Sequence, residues 1–88
     1  MPTQSQTRVL HIDIAGHDRA GVTHSLTGIL ARAGARILDV GQAVIHDALS
    51  LGLLVELTDE MKSGTLLTDL LLRAHELGVQ IRFRAVSS

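Results

Sequence analysis

Leu49-Ser50-Leu51-Gly52-Leu53-Leu54-Val55-Glu56-Leu57 sets an aliphatic side chain at every odd position. That period of two is the signature of a strand with one buried face. Just ahead of it, Arg36 to Asp47 is rich in Ile, Leu and Val and reads as another strand. Gly41 inside this run marks a bulge or a close backbone approach. The link His46-Asp47-Ala48 is too short for anything but a hairpin.

Outward from the hairpin, each side meets a helix and then a strand. Upstream, Val22, Leu26, Ile29, Leu30 and Ala33 recur at helical intervals between Gly21 and Ala33. Asp18 stands at the expected N-cap and Gly34 at the expected stop. Before them, Arg8 to Ala15 alternates, with Leu10, Ile12 and Ile14 on one face and Val9, His11 and Asp13 on the other. Gly16, His17, Asp18 and Arg19 read as a polar turn. Downstream, Leu66, Leu70, Ala74 and Leu77 define a second helix, with Leu67 and Leu71 widening its apolar stripe and Gly78 ending it. Val79, Ile81, Phe83 and Ala85 then alternate against Gln80, Arg82 and Arg84 as a last strand.

The order is strand, helix, strand, strand, helix, strand. Right-handed crossovers put both helices on one face of a four-stranded antiparallel sheet. The predicted fold is thus an α+β, ferredoxin-like βαββαβ sandwich. One domain is expected over residues 8–86, with flexible ends at 1–7 and 87–88. The face away from the helices is mixed, carrying His11, Asp13, Gly52, Leu54, Glu56, Arg82 and Arg84. Solvent or a second subunit must cover it.

Composition narrows the function. An 88-residue chain holds one small core, here 45% hydrophobic with Phe83 the single aromatic. Leftover apolar surface favours a homodimer or higher oligomer, through sheet or helix contacts. The net charge of −1 comes from 8 basic and 9 acidic residues, well mixed, which argues against nucleic acid as a partner. The chain has no cysteine, hence no thiolate metal site and no thiol nucleophile. No apolar run approaches the roughly 18 residues of a membrane helix, and no leader opens the chain. The expectation is a cytoplasmic domain without a membrane partner.

This fold hosts many activities, so function must be argued from residues. RNA recognition requires rings on the central strands, and Phe83 lies in the core-facing register. A heavy-metal chaperone requires a cysteine pair. An acylphosphatase-like hydrolase requires an arginine and glycine phosphate cradle, of which Arg19 between Gly16 and Gly21 is a faint echo.

The stretch Gly16-His17-Asp18-Arg19-Ala20-Gly21-Val22 resembles the turn of ACT domains, commonly an acidic or amide residue, then Arg-Pro-Gly and an aliphatic. Gly34-Ala35-Arg36-Ile37-Leu38-Asp39-Val40-Gly41-Gln42 resembles the family's second-strand signature, commonly Gly-x-Asn-Ile-x-Asp. The continuation from Ala43 to Glu56 is similar to the N-terminal regulatory region of bacterial phosphoserine phosphatases. The resemblance spans Arg8 to Val86. Ala20 replaces the usual proline, and Arg36 stands where some serine-sensing relatives have a ligand-binding asparagine. The resemblance implies a regulatory domain that binds a small amino acid, serine first, in feedback control of serine biosynthesis, joined in its parent protein to a C-terminal catalytic domain.

The implied ligand-binding residues are Asp18, Arg19, Ala20, Gly21, Val22, Asp39 and Gln42. Physically, a helix start offers unpaired N–H groups and a positive dipole end to a carboxylate. Gly21 leaves room beside the backbone, and Asp18 or Asp39 can face an ammonium. Plainer readings stand beside these: Asp18 as a helix cap, Gly21 as a close-packing site, Arg19 as a solvated side chain, and Asp39 and Gln42 as dimer contacts. Among the five histidines, His11 shares a strand face with Asp13, while His17, His24 and His46 lie near turns or a helix start, without a repeated ligand spacing. No metal, no cofactor and no catalytic residue is expected. Haloacid-dehalogenase phosphatases use Asp-x-Asp, which this chain lacks. A stand-alone or tandem-ACT regulator, or the ACT part of another enzyme such as a formyltetrahydrofolate deformylase, is the alternative.

Overall fold

The computed structural model describes residues 7–58 and 63–86. Its elements are β1 (Thr7–His17), α1 (Val22–Arg32), β2 (Arg36–Ile45), β3 (Ala48–Thr58), α2 (Ser63–Leu77) and β4 (Gln80–Val86). The strands form one antiparallel sheet in the order β2-β3-β1-β4, the expected ferredoxin-like arrangement. Of the ends expected to be flexible, Thr7 instead opens β1 opposite Thr58, and the remainder lies outside the described residues. None of the described helices is long and apolar enough to cross a membrane.

The alternation seen in the sequence becomes the core. Ile12 and Ile14 of β1, with Leu49, Leu51, Leu53, Val55 and Leu57 of β3, are buried beneath the helices. Val22, Leu26, Ile29 and Leu30 of α1 and Leu66, Leu70 and Ala74 of α2 close over them. Leu26 and Leu30 are fully buried, so truncating either to alanine costs about 2–5 kcal/mol. Leu67 packs on this core, but Leu71 is 50% exposed beside Leu72, so the apolar stripe of α2 is narrower than expected. Both helices end alike. Ala35 N donates to Leu30 O after Gly34, and Val79 N donates to Ala74 O after Gly78, which satisfies carbonyls that helix ends leave free.

Two local departures shape the functional surface. First, β1 runs on through the expected turn to His17, and Gly16 pairs with Leu49 inside the sheet. Second, the bulge in β2 falls between Ile37 and Asp39, with Leu38 as the extra residue, rather than at Gly41. Beyond it Val40, Gln42 and Val44 stand opposite Leu53, Leu51 and Leu49 on the helix side, while Asp39, Gly41, Ala43 and Ile45 face the other way. Gly41 stands opposite Gly52 in regular register, and a Cβ on it would meet nothing within 4 Å, so no close backbone approach calls for a glycine there.

Candidate functional site

The loop from Asp18 to Gly21 leads into α1 at an unusual start. Gly21 is the N-cap, with φ 86° and ψ −1°, and no side chain caps the helix. That left-handed geometry is open to glycine and strained for other residues. Asp18 is therefore not the cap. Its backbone N–H instead donates to Asp47 O at 2.7 Å, which ties the loop to the β2–β3 hairpin. The first turn of α1 holds no acidic residue, so its N–H donors and positive dipole end lack a compensating charge on the helix itself.

Arg19 is not a free solvated side chain. Its Nη1 donates to Leu77 O at 3.0 Å, on the last residue of α2. Ala20 and Gly21 are exposed, whereas the Val22 side chain is 1% exposed in the core and its backbone N–H donates to Arg19 O at 3.4 Å. Gln42 comes to the same place from β2, and the Thr23 hydroxyl donates to Gln42 Oε1 at 2.9 Å. That bond engages the oxygen of the amide and leaves its N–H donors for another acceptor. On either side of Gln42, Val40 and Val44 are about half exposed, forming an apolar ledge that α1 does not cover.

Asp39 does not join this group. The bulge turns it to the open face, where its Oδ1 accepts from Val40 N at 2.9 Å. The structure thus brings together Asp18, Arg19, Ala20, Gly21, the Val22 backbone and Gln42, and sets Asp39 apart. Thr23 and the Val40–Val44 ledge are the contributors that the sequence did not flag. Their placement follows from the bulge, which periodicity alone does not position. Among the described residues, no cluster of three or more His, Asp or Glu could hold a metal ion.

The ACT domain model matches residues 8–84. The chain belongs to the ACT domain family. Over 71 residues, 80% of its length, this ACT domain is 38% identical to phosphoserine phosphatase SerB2 of Mycobacterium tuberculosis, of which it spans only 17%. It is 31% identical over 71 residues to the UPF0237 protein MK1213 of Methanopyrus kandleri, and there it spans 79% of the relative. Among solved structures, an ACT domain protein from Streptococcus pneumoniae superposes with a TM-score of 0.74 at 24% identity, covering 89% of each chain, which shows the shared fold.

Proposed function

We propose that this ACT domain is a regulatory module that binds a free amino acid, serine first, at the start of α1. The observation that carries this reading is the uncapped, glycine-led helix start, with no acid in its first turn and with Gln42 beside it. A ligand carboxylate would take the α1 N–H groups and the Gln42 amide, and the Asp18 carboxylate would meet the ammonium. Asp39, on the opposite face, has no part in it. The open space around Gly21 leaves room for a ligand at the helix start, and the similarity to a phosphoserine phosphatase favours serine as that ligand. In this reading serine occupancy is the feedback signal, passed through self-association of the domain to a catalytic domain.

A stand-alone regulator is the second reading, favoured by the relative of which the chain spans 79%. Titration calorimetry with serine, glycine, alanine and threonine tests the shared part. Serine is expected to bind most tightly, and absence of heat with all four at millimolar ligand overturns it. An Asp-x-Asp motif in the same open reading frame would decide for the phosphatase.

A further inference from the structure

The sheet face away from the helices carries charge in an ordered pattern. Register sets Asp39, Leu54, His11 and Arg84 in one row across the strands, and Gly41, Gly52, Asp13 and Arg82 in the next. The flanking row carries Arg36, Glu56, Val9 and Val86. The β2–β3 half therefore carries Asp39 as the acid of its middle rows, while Glu56 and Arg36 stand opposite each other in the flanking row. The β1–β4 half ends in two arginines, with Asp13 and His11 inside them. His11 Nδ1 lies 3.1 Å from an Arg84 Nη2 and 3.3 Å from an Asp13 oxygen, so it accepts from Arg84 when bare and donates to Asp13 when protonated.

Shape follows the same division. The facing glycines Gly41 and Gly52 floor a dent of about 260 Å³, walled by His11, Asp39 and Leu54. On β4, two strands away from Gly52, Arg82 and Arg84 are both exposed. A two-fold axis lying between two facing sheets, parallel to the strands and midway between β3 and β1, exchanges these halves. It keeps each row in place and lays β4 of one copy over β2 of the other. Asp39 then meets the partner's Arg84, Leu54 meets the partner's His11, and Arg82 enters over the partner's Gly41. Such an interface is self-complementary, as a two-fold contact must be.

We propose that this face is a self-association surface, on which a second copy stacks sheet to sheet with the arginines of each β4 in the glycine-floored, acidic dent of the other. The proposal rests on the self-association assumed above and specifies its geometry. Four strands about 4.8 Å apart give a footprint of roughly 450 Å² per copy, about 900 Å² in all, which is the size of a weak, transient contact and below that of a stable one. Charge pairing therefore selects the partner and its register. Pairing of two β2 edges leaves Arg84 three strands from the contact, and pairing of two β4 edges leaves Asp39 three strands from it, so neither edge contact brings these two side chains together.

Sedimentation of charge-reversed variants tests the arrangement. Asp39→Arg alone and Arg84→Asp alone each set like charges together twice, and each should weaken self-association about tenfold or more. An equimolar mixture of the two variants restores both pairs and should form the heterodimer. Gly41→Arg, which has open space around its Cβ within the chain, should fold normally and lose the dimer. Circular dichroism on each variant separates lost association from lost fold. Wild-type association by Arg84→Asp or by Gly41→Arg overturns the proposal, and so does a mixture that stays monomeric. A wild-type chain monomeric at millimolar concentration removes the association itself, while the serine titration still reports on the ligand.

Discussion

The guanidinium of Arg19 donates to the carbonyl of Leu77 at 3.0 Å, joining the loop that opens α1 to the last turn of α2. Helix C-termini leave carbonyls free and carry a partial negative charge, so a cation there stabilises the fold. This bond spans 58 residues of sequence, and a second one, from Arg73 Nη1 to the Ser25 hydroxyl at 2.6 Å, also joins α2 to α1.

Arg19→Ala should lower stability by about 0.3–1 kcal/mol, seen as a reduced denaturation midpoint with an unchanged slope. Serine affinity should stay within about twofold, roughly 0.4 kcal/mol, because the residue offers the ligand only its backbone. Lost binding at unchanged stability would place the guanidinium on the ligand instead.

Gly16 and Val79 set a second constraint. A Cβ on Gly16 would fall 2.9 Å from Val79 Cγ1 and 3.1 Å from its Cα, and Val79 is buried. Because part of the obstacle is backbone, it cannot rotate away. Gly16→Ala should cost about 1–3 kcal/mol, measured by urea unfolding. An unchanged midpoint would mean that the β1 end and the α2–β4 turn separate freely.

At the hairpin tip His46 and Asp47 both hold positive φ, at 49° and 67°, in a two-residue loop. This is the geometry that Asn-Gly fills best. His46→Asn with Asp47→Gly should raise stability by about 1 kcal/mol, measured by thermal unfolding. The bond from Asp18 N to Asp47 O involves backbone only and survives the change. A lowered melting temperature would show that one of the two side chains contributes to the tip.

Most of the fold was legible because it rests on period. Leu49 to Leu57 alternates and is buried as it alternates, and Val22, Leu26, Ile29 and Leu30 form the predicted face of α1. The candidate site was less so, for reasons of geometry. Asp18 has the chemistry of a cap, but the chain turns at Gly21, and the cap falls to the residue able to take φ 86°. Asp39 and Gln42 are three apart, an odd number, so a strand sends them to opposite faces, and the bulge at Leu38 decides which one joins the helix side. Had the strand been regular, Gln42 would face away from Thr23. Likewise, nothing local marks Arg19 as the partner of a carbonyl at the far end of another helix.

Gln42 is the position where site and stability separate most clearly. Gly21 is a poorer one, since any side chain there carries the strain of its left-handed backbone and mixes folding with binding. Gln42→Glu keeps an oxygen for the Thr23 hydroxyl and adds a negative charge at the positive end of α1. That should raise stability by about 0.3–1 kcal/mol. A ligand carboxylate at the same helix start then loses the Gln42 N–H donor and meets a like charge roughly 4 Å away, which at an effective dielectric between about 40 and 80 costs about 1–2 kcal/mol. Serine affinity should accordingly fall about tenfold. Added salt should recover part of it by screening, whereas the milder loss in Gln42→Ala should respond little. The two measurements thus move in opposite directions, which a general loosening of the fold does not produce. Serine binding by Gln42→Glu as tight as that of the wild type places the ligand elsewhere on the molecule.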